Sequence, residues 1–542
     1  MPFQEASLKS RIHSALTEHQ LQVLLKDEAV SWTGNQILNQ MIELQNLISE
    51  NTLEGSRVAV SFPNWAVQVF AMFTVISTGR VPVMLSFSDL DGQCNEWIAR
   101  SKVSLIILAP GLEAQLKSET QTQYIVLNRH AEILDQSLGK SRFSFIDLAS
   151  PPPVGTGLIL YTSGSTGTPK GIFIPETGIL QTADYLISSM KLGRSTVSPI
   201  LLPICHSMAL NTQLFPTFFA GGLSSFVNAR LSITRIYRTI LAEQGTFVSL
   251  ITEVLRTCWE EKNRRKLAPA LHVQHVQLAG GMISLKTIEM AQELFPSAII
   301  HKGYGLTEAI RVTMINSQEK NFHTSAVGKP LSFVQIQIRD QKGHANRVIT
   351  EPGQLGQVHV KGPNVLLGIS DQKNSPIDDQ GFLATGDLGY WNEDGQLCIS
   401  GREDSLYKIN GLRVSGFEIE RIAIDASSLI TNAKCSLFEG ARNDGKKLVL
   451  MVEVQQDKQK KFVEDKLMEV HQKMWEQFKS LNHFPKEIIV VTKFPRTSNG
   501  KIDLKKLFQM YSDTDKESIS KIMQSNLQFY QMRSEENERI SV

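Results

Sequence analysis

Cysteine is scarce in this chain: five among 542 residues, at Cys94, Cys205, Cys258, Cys398 and Cys435, with no Cys-x-x-Cys pair. An odd, scattered set argues against a disulfide framework or a cysteine zinc site and for a reducing compartment. Cys205 stands near a proposed substrate wall, where a buried structural thiol accounts for it. An excess of one charge is missing too. With 56 Lys plus Arg against 54 Asp plus Glu the formal net charge is +2. That gives no electrostatic basis for a nucleic-acid or anionic-membrane partner. No apolar run reaches membrane-spanning length. The most apolar stretch, Trp65 to Gly79, is bounded by Pro63-Asn64 and Arg80 and reads as a buried helix ending at the glycine. Met1-Pro2-Phe3-Gln4-Glu5 carries neither the basic nor the apolar region of a secretory signal, so a cytoplasmic protein is expected. Internal repeats and low-complexity tracts are absent.

What is present is a long, globular composition. At 542 residues, 42% hydrophobic and 20% charged, the chain calls for two or more domains. Val58–Phe62 and Leu105–Leu108 read as strands around the helix Trp65–Ser77, an alternation that predicts a doubly wound, mostly parallel α/β sheet. Pro151-Pro152-Pro153 reads as a stiff connector. After about residue 330 the pattern becomes short strands (Val334–Ile338, Gln357–Val360, Gln396–Ser400) with glycine turns, as in a small β-layer or barrel. A smaller α+β unit follows, with a hairpin from Ala433–Phe438 through Asn443-Asp444-Gly445 to Lys447–Val454. The expected organisation is a large domain over 1–400, a hinge at 401–404, a small mobile domain over 405–510 and a tail over 511–542. In the tail, Ile519, Ile522, Met523, Leu527 and Tyr530 recur at helical spacing.

The most informative stretch is Thr162-Ser163-Gly164-Ser165-Thr166-Gly167-Thr168-Pro169-Lys170-Gly171. Its glycines permit tight turns and close approach to a ligand. Its hydroxyls and ammonium are donors suited to phosphate oxygens. It is not a Walker loop, because Lys170 is flanked by Pro169 and Gly171. The apolar runs Leu158–Tyr161 and Gly171–Ile174 on either side make it a loop between two strands, not an entry into a helix.

Four further segments follow in order: Gly303-Tyr304-Gly305-Leu306-Thr307-Glu308, Thr385-Gly386-Asp387, the run from Gly401 to Glu420, and Asn499-Gly500-Lys501-Ile502-Asp503. Together with the hydroxyl-rich loop they resemble the adenylate-forming superfamily of acyl-CoA synthetases, peptide-synthetase adenylation domains and luciferases. The resemblance implies ATP-dependent activation of a small-molecule carboxylic acid to an acyl-adenylate, with pyrophosphate release. Transfer to a thiol follows, either CoA or the phosphopantetheine of a carrier protein acting in trans.

Adenylation places negative charge on a pentavalent α-phosphate and on pyrophosphate, so donors, positive charge and a divalent ion are needed there. Thr162, Ser163, Ser165, Thr166 and Lys170, spaced by Gly164 and Gly167, suit the β- and γ-phosphates. By resemblance, Thr307 contacts the α-phosphate and Glu308 holds Mg²⁺. The family order implies that adenine lies between Tyr304, within its Tyr304-Gly305 motif, and the bare backbone of Gly280-Gly281, a pair that by itself also suits a plain turn. Asp387 suits the ribose hydroxyls, and Arg402 resembles the family's second ribose contact. The resemblance implies that Lys501 bridges the carboxylate and the α-phosphate in the first step only. Gly401-Arg402-Glu403-Asp404 resembles the family hinge, whose swing withdraws Lys501 and brings in the loop from Lys408 to Arg413. Gly411 in that loop leaves room for a pantetheine arm.

Peptide-synthetase domains carry Phe-Asp before the pocket to hold an α-ammonium. Here the stretch Pro203 to Asn211 has no carboxylate and is similar to the His-x-x-x-Leu pattern of acyl- and aryl-CoA ligases. An α-ammonium without that ion pair is costly in a largely apolar pocket, so a simple aliphatic or aromatic acid is expected. His206 reads either as a gate to the acid or as a satisfied core histidine. The strand-like run Thr246 to Thr252 is a candidate pocket wall, and Glu253 keeps open a stand-alone enzyme that loads a carrier protein. A non-catalytic binding homologue would be expected to lack Lys501 or Glu308, and both are present. Two departures from the family pattern are Gln357 in place of Glu and Gly368-Ile369 in place of Gly-Tyr.

Overall fold

The computed structural model describes residues 7–513 apart from 87–97, 99, 114–122, 139–150, 163–168, 228–234, 282, 323–324, 341–346, 371, 373–374, 410–411, 428, 440–445, 455–457, 460–465, 479–484, 486 and 497–501. The tail pattern from Ile519 to Tyr530 and the hairpin turn Asn443-Asp444-Gly445 lie outside the described residues. One compact unit spans the described residues up to Thr385 together with Gly389–Ile399, and the other spans Gly386–Leu388 and the described residues from Ser400 onward.

The first unit opens on an eight-stranded sheet. Its centre is parallel: Arg57–Ser61 lies between Val81–Met84 and Leu105–Leu108, and Val81–Met84 pairs in turn with Thr156–Thr162. Arg57–Ser61 and Leu105–Leu108 are buried along their whole length, as continuous apolar runs in doubly covered sheets must be. The strand expected over Val58–Phe62 is displaced by one residue, starting at Arg57 and ending at Ser61 ahead of the bend at Pro63-Asn64. The helix Ala66–Ser77 is buried from its first residue to Ile76.

That helix has no cap of its own. Trp65 is the N-cap and offers no side-chain hydrogen bond. Asp27, 39 residues away, supplies it instead: its Oδ2 accepts from Ala66 N–H at 3.1 Å. Its Oδ1 accepts from Ala29 N–H and Val30 N–H at 2.7 and 3.1 Å. Arg129 adds a cation 3.5 Å from Asp27 Oδ1 and stacks 5.0 Å over the Trp65 ring. A long-range carboxylate therefore satisfies an orphan helix donor and a tight turn together.

A second sheet has ten strands, in the order Phe247–Ile251, His275–Ala279, Ile299–Lys302, Thr313–Asn316, Ala326–Pro330, Leu397–Arg402, Leu383–Trp391, Gly356–Lys361, Gln335–Arg339 and Val348–Ile349. The first three are parallel and Thr313–Asn316 joins them antiparallel. The β-layer expected after residue 330 is thus the continuation of the second α/β sheet, on one hydrogen-bonded ladder.

The second unit builds its own core. Ile430–Glu439 and Lys446–Val454 form the expected antiparallel hairpin, and Glu487–Val491 adds a parallel strand. The helices Gly416–Ala426 and Leu467–Phe478 contribute Ile419, Ala423, Val470 and Met474 to its apolar centre. Asp503 caps the helix Leu504–Asp513 by accepting from Lys506 N–H at 3.0 Å. The four described cysteines are buried, and none of them forms a disulfide. No described helix is long and apolar enough to cross a membrane.

Asp27→Ala leaves three backbone donors and Arg129 without their acceptor. Hydrogen bonds to a buried charge are worth about 1.5–3 kcal/mol each at most, and the losses here are shared, so about 3 kcal/mol is expected. The measurement is the urea midpoint at unchanged slope; a loss below about 1 kcal/mol contradicts the remote cap.

Candidate active site

Three parallel strands end together. In the ladder Ile251 stands opposite Ala279, and Leu278 opposite Lys302. The residues that follow each strand therefore share one edge: Thr252 and Glu253, Gly280 and Gly281, Gly303 and Tyr304. Ligands of open α/β sheets bind outside such carboxyl ends. Gly280 and Gly281 have φ of +86° and +145°, which L side chains rarely adopt. A Cβ on Gly280 would lie 2.7 Å from Ile251 Cγ2, whereas no described atom lies within 4 Å of one on Gly281. Tyr304 is only 9% exposed and packs in the main core. Most of its ring is covered, not presented as an open face.

From Tyr304 the chain turns back on itself. The Tyr304 carbonyl accepts from Val312 N–H at 2.7 Å and Thr313 N–H at 3.2 Å, and its N–H donates to Thr313 Oγ1 at 3.2 Å. Within the return, Leu306 and Ala309 exchange backbone hydrogen bonds of 2.8 and 3.3 Å. A neighbouring segment grips it from outside. Leu366 N–H donates to the Glu308 carbonyl at 2.9 Å, and Ile310 N–H to the Asn364 carbonyl at 3.0 Å. Asn364 is fully buried, and its side-chain amide donates to the carbonyls of Ile310 and Arg311 at 2.6 and 3.2 Å. Thr307 and Glu308, both half-buried, sit in a loop fixed on two sides.

No group of three metal-ligating side chains occurs among the described residues. A single carboxylate at Glu308 suits Mg²⁺, which takes one or two carboxylates and completes its octahedron with water and substrate phosphates. Thr162 and Lys170 face each other at the open end of an antiparallel pair. The strand–loop–strand setting expected of the hydroxyl-rich stretch is present. Ser163, Gly164, Ser165, Thr166 and Gly167 lie outside the described residues. His206 precedes the short helix Ser207–Ala209, which runs into a π turn, Leu210–Leu214. Such turns concentrate at functional sites.

In the second unit Asp387 is 5% exposed, and its Oδ1 lies 3.4 Å from Arg402 Nη1. Arg402 Nε also reaches Asp404 at 3.5 Å. Arg402 is half exposed, so these pairs orient the groups more than they stabilise the fold. Lys408 lies opposite Arg413 in the hairpin of Leu406–Ile409 with Leu412–Ser415. Gly411 and Lys501 lie outside the described residues.

The sequence reading missed a buried polar row on the three parallel strands. Ser249, Gln277 and His301 are ladder neighbours, and all are buried. Gln277 Nε2 donates to Thr212 Oγ1 at 2.7 Å and lies 3.3 Å from Ser249 Oγ. Arg311, three residues beyond Glu308, brings Nη2 to the same Thr212 Oγ1 at 3.5 Å. His301 Nε2 is 3.0 Å from His275 Nδ1. Burial pushes His301 down to about 3, helped by His275 and Arg311, and burial lowers His275 as well. The His301 ring is therefore neutral near pH 7. The candidate pocket wall Thr246 to Thr252 contributes Ser249 to this row. Only the strand register reveals that three distant polar residues form one row.

Residues 13–369 match the family model of AMP-binding enzymes, and the chain belongs to that family. A probable CoA ligase of Humulus lupulus, CCL9, is 23% identical over 469 residues, covering 84% of this chain and 87% of the relative. A long-chain-fatty-acid–CoA ligase of Salmonella typhimurium is 22% identical over 444 residues, covering 73% and 77%. Among solved structures, ATP-bound MatB from Rhodopseudomonas palustris superimposes with a TM-score of 0.78 at 20% identity, over 94% of this chain and 99% of MatB. That likeness establishes a shared fold.

Asn364→Ala removes both side-chain hydrogen bonds that clamp the Thr307–Arg311 loop. Leaving buried carbonyls unsatisfied costs about 1–3 kcal/mol. A lower melting temperature is expected, together with weaker ATP binding by about tenfold or more in a titration of the folded variant. Unchanged ATP affinity contradicts the role of this clamp.

Proposed function

We propose that this protein activates a carboxylic acid with ATP to an acyl-adenylate, releasing pyrophosphate, and then transfers the acyl group to a thiol, most directly that of CoA. The observation that carries the reading is a convergence within an AMP-binding enzyme: a glycine pair, a clamped Thr-Glu loop and a register-matched set of strand ends lie at one sheet edge. The Humulus lupulus and Salmonella typhimurium relatives, both named as CoA ligases, support CoA as acceptor.

In the first step one carboxylate oxygen attacks the α-phosphorus, and the bond to pyrophosphate breaks. Thr162, Lys170 and the hydroxyls between them hold the β- and γ-phosphates as charge moves onto them. Thr307 donates to an α-phosphate oxygen, and Glu308 holds Mg²⁺, which supplies charge neutralisation on the phosphates. Gly280 and Gly281 admit the adenine ring against bare backbone. Asp387 accepts from the ribose hydroxyls, with Arg402 beside it. Lys501 neutralises charge between carboxylate and α-phosphate, and His206 borders the entry of the acid. In the second step a thiolate attacks the acyl carbon and AMP leaves. The segment Gly401–Asp404 serves as the hinge between steps, and Lys408 to Gly411 serve the thiol.

The test is a panel of acids with ATP and Mg²⁺, followed by CoA or a phosphopantetheinylated carrier protein. AMP and pyrophosphate are expected, with α-amino acids poorer than their deaminated analogues because Pro203 to Asn211 lacks a carboxylate. Lys501→Ala should slow adenylate formation by about 10²–10³-fold while sparing thioester formation from supplied acyl-adenylate. ADP and phosphate as products contradict the reading, and equal loss of both steps in a folded Lys501→Ala contradicts the division of labour.

A further inference from the structure

We infer that the acid activated by this protein carries a second carboxylate, which the Arg311 guanidinium receives inside the fold. The inference rests on the acid-activation reading and names the substrate class of that site.

Arg311 is 6% exposed, yet it lacks the opposite-charge partner that several other buried charges have. Arg339, 3% exposed, holds Asp378 at 2.6 Å. Buried Glu261 has Arg238 at 2.8 Å, and buried Glu420 has Lys434 at 2.6 Å. No carboxylate lies within ion-pair distance of Arg311 among the described residues. Its hydrogen bonding there is one long contact, Nη2 to Thr212 Oγ1 at 3.5 Å, and Nε finds no acceptor. A buried charge without a partner is strongly unfavourable. Burial lowers Arg311 only to about 10, so it remains a cation near neutrality.

Its position links that charge to the proposed site. Arg311 closes the loop that carries Thr307 and Glu308, and its backbone sits at φ +36°, in the left-handed region that bulky residues avoid. Gly303, at the strand end, gives it room: a Cβ there would lie 2.5 Å from Arg311 Nη1 and 2.3 Å from the Thr313 carbonyl. The guanidinium therefore passes directly against the backbone at the carboxyl end of Ile299–Lys302.

Among the described residues the surroundings are polar and contain no anion. Ser249, Gln277, His301 and Thr212 form the row beside the guanidinium, and there Gln277 Oε1 and His301 Nδ1 have no partner. With His301 neutral, Arg311 supplies the positive charge of this group. An alkyl tail against this row would leave a cation and several polar atoms desolvated with nothing gained. A carboxylate would take paired, charge-assisted hydrogen bonds from the guanidinium. Sites built for a polar partner discriminate strongly against analogues that lack it, because their own groups are then left unpaired.

The experiment compares dicarboxylic acids of increasing length, aliphatic and aromatic, with isosteres in which the distal carboxylate is a methyl or methyl ester. Pyrophosphate release is measured for the full-length protein and for Arg311→Met. At least one dicarboxylate should exceed its isostere tenfold or more in kcat/KM, and Arg311→Met should abolish that preference. Arg311→Lys, which keeps the charge but not the paired donors, should retain part of it. Thermal melting supplies a readout independent of turnover and of the variants' folding. The dicarboxylate should raise the melting temperature of the unmodified protein dose-dependently, and the isostere should not. A preference for isosteres across the panel, or an undiminished dicarboxylate preference in folded Arg311→Met, overturns the inference and leaves acid activation standing. If no acid releases pyrophosphate, the activation reading fails, and the melting shift alone decides whether Arg311 binds a carboxylate.

Discussion

Two backbone N–H groups, from Val312 and Thr313, converge on the carbonyl of Tyr304, and the rest of the site depends on that closure. It forces the chain from Gly303 to Val312 to leave and re-enter the sheet at nearly the same place. Thr307 and Glu308 fall within the return, and Arg311 falls at its inner end. The closure needs a residue without Cβ at 303, since Thr313 O and Arg311 Nη1 already occupy that space. It also needs the outer grip of Asn364 and Leu366, without which the carbonyls of Glu308, Ile310 and Arg311 would lose their partners. The motif around Tyr304 is therefore a geometric solution as well as a set of chemical groups.

The site also shows how a doubly wound sheet concentrates chemistry. Register between Phe247–Ile251, His275–Ala279 and Ile299–Lys302 does two things at once. At the strand ends it aligns a glycine pair with the loop that carries Thr307 and Glu308. Further back it aligns Ser249, Gln277 and His301 into a polar row that an apolar core would not contain. Both follow from one ladder, so the glycine edge and the polar interior cannot shift independently.

Much of the architecture was legible in the sequence. Continuous apolar runs such as Leu105–Leu108 mark strands covered on both faces, and here the expected and observed limits coincide. The hydroxyl-rich stretch reads as a loop between strands because its apolar flanks are short, and Thr162 and Lys170 do stand opposite each other. What was not legible is long-range. The acceptor for the helix at Ala66 is Asp27, which no local pattern connects to it. Tyr304 reads as an open aromatic face, but tertiary packing covers it. Arg311 lies in a run of ordinary strand-like residues, and its burial, with no carboxylate in reach among the described residues, depends on segments a hundred residues apart.

The central claim is that the carboxylate attacks phosphorus and that AMP leaves bearing one of its oxygens. Oxygen labelling tests this most directly. The acid that supports pyrophosphate release is prepared with ¹⁸O in its carboxyl group and turned over with unlabelled ATP and CoA, and the products are weighed by mass spectrometry. The account predicts one ¹⁸O in AMP and none in pyrophosphate. Label in a phosphate product, or unlabelled AMP alongside thioester, contradicts it.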